Sequence, residues 1–104
     1  MVRHIILWTL KDELSPEEKE IREQGIKAGL ESLVGKVPGL LSLNIRLEKL
    51  PTSTVDLMLD STFESFEALK GYSVHPEHVY VANTFVRPYT ANRACIDFEI
   101  PEEV

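Results

Sequence analysis

The chain has 104 residues, 43% of them hydrophobic and 27% charged, with a formal net charge of -6. That length predicts one domain over 1–104, and the balance is that of an ordinary globular protein. The acidic charge argues against nucleic acid and against anionic membrane as partners, because nothing would offset the phosphate repulsion. A single cysteine, Cys95, excludes an internal disulfide and fits a reducing, cytoplasmic location. The opening apolar run is too short for a signal peptide and soon turns charged at Lys11-Asp12-Glu13. No stretch approaches the roughly 20 apolar residues of a membrane span.

Val2 to Leu10 predicts a strand. His4, Ile6, Trp8 and Leu10 share one face, and Arg3, Ile5, Leu7 and Thr9 the other. Both faces are largely apolar, so both need covering. A helix follows. Ser15 is its cap, Pro16 its first residue, and Glu18 completes a capping box. Ile26, Leu30, Leu33 and Val37 recur near helical spacing, with Ile21 and Ala28 as flank contacts. Gly35 or Pro38-Gly39 ends the helix.

Leu41 to Lys49 alternates as a strand, with Leu41, Leu43, Ile45 and Leu47 on one side. A turn at Pro51–Thr54 joins it to a third strand, Val55 to Phe63. Val55, Leu57, Leu59, Ser61 and Phe63 share one face there; Asp56, Met58, Asp60 and Thr62 share the other. The two strands should pair as an antiparallel hairpin. Ser65 caps a short helix reaching about Tyr72. Pro76 starts another, which ends near Arg87 because Pro88 disfavours helix at the preceding residue. Arg93 to Glu99 is the last strand, with Ala94, Ile96 and Phe98 opposite Cys95. Residues Pro101 to Val104 form a polar tail.

Strand, helix, strand, strand, helices, strand is the α+β, ferredoxin-like β-α-β-β-α-β order. It gives a four-stranded antiparallel sheet with helices on one side. So short a chain buries surface poorly alone, and its first strand is apolar on both sides. A homodimer whose sheets face each other and close into an α/β barrel satisfies both conditions.

The chemistry-bearing residues concentrate at Tyr72-Ser73-Val74-His75-Pro76-Glu77-His78, which holds two of the three histidines. Imidazole changes charge near neutral pH, so His78 in a cleft could act as a general base. The plainer alternative is a helix-start histidine bonded to a carbonyl or to Tyr72. Tyr72 could donate to a developing enolate oxygen, or simply pack in the core. His75 reads as a helix-boundary residue. His4 reads as a satisfied core histidine, and Trp8 as core or pocket wall. His4, Asp56, His75 and His78 together raise a metal site, but no recognised ligand spacing is present, so no metal is assigned. Cys95 reads as a small core residue, since nothing near it in sequence lowers its pKa.

Val2-Arg3-His4-Ile5-Ile6-Leu7-Trp8, Ser61-Thr62-Phe63-Glu64-Ser65 and the 72–78 run together resemble the stress-responsive A/B-barrel (Dabb) family. The resemblance covers nearly the whole chain. It implies a ferredoxin-like protomer and a homodimeric barrel. Some plant members are polyketide cyclases that use a histidine and a tyrosine for an intramolecular aldol condensation. By that resemblance the catalytic pair corresponds to His78 and Tyr72. His4 and His75 match further histidines of the pattern, and Asp56 stands where the cyclase has a pocket histidine. His4, Asp56, His75 and Trp8 are thus the expected substrate-binding set, and no cofactor is expected. Two functional readings stay open. One is a binder of a small, partly apolar carbonyl compound, with or without cyclase-like or lyase-like proton transfer. The other is a non-catalytic barrel with a structural or stress-related role.

Overall fold

A computed structural model describes residues 1–102; the last two positions of the polar tail lie outside the described residues. The elements are β1 (Val2–Leu10), α1 (Pro16–Glu31), β2 (Leu40–Arg46), β3 (Leu57–Phe63), α2 (Phe66–Val74), α3 (Pro76–Val81) and β4 (Thr90–Glu99). A five-residue π-helical stretch, Ala82–Val86, continues α3. The strands form one antiparallel sheet in the order β2-β3-β1-β4, the ferredoxin-like arrangement.

The period-2 pattern of β1 sets the layers. Val2, His4, Ile6, Trp8 and Leu10 are buried beneath the helices. Their β3 partners Phe63, Ser61, Leu59 and Leu57 are buried with them. Opposite, Ile5 and Leu7 of β1 and Met58 of β3 are half-buried on a face that no helix covers. On β4, Ile96 is Ile5's cross-strand partner on that open face and is 59% exposed. The ladder to β1 holds β4, and nearly all its residues are exposed.

Ser15 caps α1 as its sequence demands: its hydroxyl accepts from the Glu18 N–H at 3.1 Å, and the Glu18 carboxylate accepts from the Ser15 N–H. The helix ends at Glu31, earlier than Gly35, and turns then carry Leu33 and Val37 into the core. Ile21 faces solvent rather than flanking the core. At the sheet edge, α1 reaches down to β2. The Lys27 ammonium donates to the Ile45 carbonyl at 2.9 Å, and the Glu31 carboxylate accepts from the Ile45 N–H at 2.9 Å. Those backbone groups would otherwise be an unpaired strand edge. Burial pushes Glu31 up, but the Ile45 N–H and Lys27 outweigh it and hold its carboxyl below the ordinary value.

The hairpin differs from its predicted form. A register shift between Leu40 and Ser42 puts Leu40 in the core and leaves Leu41 44% exposed. One extra residue flips the alternation before it, while Leu43 and Ile45 keep their buried side. The pairing also stops at Arg46↔Met58, so Lys49 and Val55 lie in the loop.

Candidate functional site

The break between α2 and α3 builds the site. Pro76 cannot donate a backbone hydrogen bond, so one helix stops and another begins there. His75 serves both ends. Its N–H donates to the Tyr72 carbonyl at 3.1 Å, and its Nδ1 accepts from the Glu77 N–H at 3.1 Å. The turn brings Tyr72, from the last turns of α2, onto His78, in the first turn of α3. Their ring centroids lie 4.1 Å apart with a 36° tilt. Tyr72 is anchored from behind by Phe63, edge-on at 5.0 Å.

Both rings line a cavity of about 400 Å³ between the helix layer and β1. Ile6, Trp8 and Leu59 form its floor, and Leu30, Ala82 and Val86 its walls. The π-helical turn contributes directly: its wider wrap, closed by the Arg87 N–H donating to the Ala82 carbonyl at 2.9 Å, presents Ala82 and Val86 together. Thr90, Arg87 and Arg93 complete the polar lining. This size and mixture of apolar wall with few polar groups suit a small organic ligand.

The electrostatics divide the two rings. Burial pushes the His78 imidazole below its ordinary value. The Ser73 backbone opposes this, and Arg87, His4 and Arg93 add to it. His78 Nδ1 is buried and has no hydrogen-bond partner among the described residues. Burial pushes the Tyr72 phenol far above its usual range. At neutral pH the pair is therefore a neutral imidazole beside a protonated hydroxyl.

Three of the other four expected site residues are placed elsewhere. His4 is buried on the helix side of the sheet but is not part of the cavity lining; it stands behind Tyr72, ring centroids 6.3 Å apart. Its Nδ1–H donates to the Asp97 carboxylate on β4, because a carboxylate can only accept. Asp56 does not share the cavity. It precedes β3 on the parity of Met58 and Asp60, and its carboxylate accepts from the Leu10 N–H at 2.7 Å, closing the end of β1. It lines a separate depression with Leu7 and Met58 on the open side. His75 lies in another shallow depression beside Gly39 and Glu64 and is occupied as a cap. Trp8 lines the cavity.

The metal set read from the sequence is likewise not assembled. Among the described residues, His4, Cys95 and Asp97 instead bring potential ligand atoms within 4.8 Å of one another. His4 is committed to Asp97 there, and Cys95 is exposed on the edge strand rather than buried in the core. Partial burial and the Asp97 carboxylate push the Cys95 thiol up, so it stays protonated. Arg87 and Arg93 escaped the sequence reading. The signal for Arg93 was the alternation of β4, which places it beside Trp8 and on the side of Cys95.

Comparison with known proteins follows the same lines. The family model of the Stress responsive A/B Barrel Domain matches residues 2–100, and the chain belongs to that family. It is 34% identical over 86 residues to the stress-response A/B barrel domain-containing protein HS1 of Arabidopsis thaliana, covering 82% of this chain and 77% of that one. A dimeric protein of unknown function and ferredoxin-like fold from Bacteroides fragilis superposes with a TM-score of 0.88 at 31% identity, over 95% of each chain. The hydroxynitrile lyase of Passiflora edulis has the same fold, with a TM-score of 0.77 at 20% identity over 99% of this chain and 95% of that one.

Proposed function

We propose that this member of the stress-responsive A/B-barrel family is a homodimer that binds a small, partly apolar carbonyl compound in the Tyr72–His78 cavity and promotes proton transfer on it without a cofactor. The dimer rests on the uncovered sheet face, where Ile96 and Phe98 are 59% and 40% exposed beside half-buried Ile5 and Leu7. Its similarity to the dimeric Bacteroides fragilis protein supports the same assembly.

The observation that carries the chemistry is the contact of Tyr72 with His78 inside the cavity. A neutral His78 takes a proton from the carbon next to a carbonyl. The electron pair of that C–H bond moves to the carbonyl oxygen, and the Tyr72 hydroxyl donates to the enolate. The enolate carbon then attacks a second carbonyl of the same molecule, whose oxygen takes the proton from the imidazolium, or the carbon recovers that proton itself. Neither course consumes an oxidant or reductant. Lowered imidazole and raised phenol are the protonation states this sequence of events needs.

Trp8, the chain's one tryptophan, lies on the cavity floor and reports occupancy through its emission. The test uses 4-phenylbutan-2-one as probe. Saturable change in Trp8 emission, with α-deuterium uptake from D₂O faster than in buffer and lost in His78→Ala, supports the reading. Saturable binding without accelerated exchange rejects the catalytic part and leaves a binding protein. No binding at millimolar probe rejects the ligand site.

A further inference from the structure

We infer that the ligand of this cavity carries a carboxylate or a comparable planar anion, held at the cavity mouth by Arg87 and Arg93. The inference rests on the cavity being a ligand site and adds the charge of what it binds.

The cavity reverses the character of the chain. The protein has 17 acidic and 11 basic residues. Yet the lining contains two arginines, a histidine, a tyrosine and a threonine, with no Asp or Glu. Both arginines are exposed at the mouth of the cavity, where two positive charges favour an arriving anion. Among the described residues neither Arg87 nor Arg93 forms an ion pair, so both charges are available to a ligand.

The fold places both arginines at the cavity rim. Arg87 closes the π-helical turn through its backbone and donates from Nη1 to the Asn83 side-chain oxygen. Arg93 is the cross-strand partner of Trp8, so its stem rises on the helix side of the sheet beside the indole. Thr90, next on the rim, offers a hydroxyl. A guanidinium presents donors in a planar fork that fits a carboxylate with two parallel hydrogen bonds, which an ammonium cannot do. With the anion at the rim, the apolar body of the ligand lies over Ile6, Trp8 and Leu59. Its middle reaches Tyr72 and His78, where the carbonyl would react. The ligand class is therefore a keto acid with an apolar or aromatic body.

The test compares 4-oxo-4-phenylbutanoate with its primary amide, of nearly equal shape, by Trp8 emission and by calorimetry on the full-length protein. The carboxylate should bind roughly tenfold to a hundredfold more tightly than the amide, the range of a charge-assisted pair. Arg87→Gln and Arg93→Gln should each erase most of that preference. Added salt should weaken the carboxylate alone. Equal affinity of the two compounds in the wild type overturns the inference and leaves the ligand site intact. A preference that survives both substitutions also overturns it. Failure of the carboxylate, the amide and neutral 4-phenylbutan-2-one alike rejects the ligand site itself, and this inference with it.

Discussion

The Tyr72 and His78 rings stack at 4.1 Å although they belong to different helices, because Pro76 starts a new helix between them. Tyr72→Phe keeps the ring and removes the hydroxyl; His78→Ala removes the base. Each should lower turnover of a carbonyl substrate by roughly two to four orders of magnitude. Circular dichroism and melting of Tyr72→Phe should match the wild type. Undiminished turnover in both folded variants would exclude the pair as the acid–base machinery.

Burial lowers the His78 pKa, so its basic form persists below the ordinary imidazole range. The acid limb of kcat/KM should therefore fall at a pH below that of a free imidazole. Stability follows the same sign. A lowered folded-state pKa contributes stability above the unfolded value, and this is lost as pH falls through the folded value. Denaturant titrations of wild type and His78→Gln should converge toward acid pH. A gap that widens there would contradict the assignment.

Asp56 holds the Leu10 N–H and stands outside the cavity. Asp56→Ala should cost about 1–3 kcal/mol through the lost acceptor of a buried strand end. Ligand affinity read by Trp8 should not change. A large drop in affinity at unchanged stability would return Asp56 to the site.

Ile96 stands opposite Ile5 on the uncovered sheet face. Ile96→Asp should shift the protein to monomer in equilibrium sedimentation. It should also abolish the concentration dependence of melting expected of the wild-type dimer. A wild type that sediments as a stable monomer at micromolar concentration would overturn the assembly.

Gly39 has φ +80°, and a Cβ built there would lie 2.5 Å from the Ala68 Cβ. Gly39→Ala combines left-handed strain with a backbone-level clash, each costing about 1–3 kcal/mol. Urea unfolding should register the loss directly. Gly71→Ala, which meets no atom within 4 Å and lies inside α2, should instead be neutral or stabilising.

The sequence by itself determined the element order and the break at Pro76. Those follow from local rules: alternation in β1 and β3, the Ser15 capping box, and proline at a helix start. It also singled out Tyr72 and His78, because two rings on either side of one proline turn have few places to go. Only tertiary structure decided how the site closes. Leu41 left the core because a bulge in β2 shifted the register, and a bulge has no signature in the alternation around it. Asp56 and His75 were each bound by a backbone N–H, a local satisfaction that composition does not reveal. Cys95 proved exposed because the substantial packing of β4 is on β1 alone. Arg87 and Arg93 met at one cavity through a π-helical turn and a cross-strand pairing with Trp8. Residues far apart in sequence acquire a common site only when register and helix wrap are fixed, and packing of the whole chain fixes both.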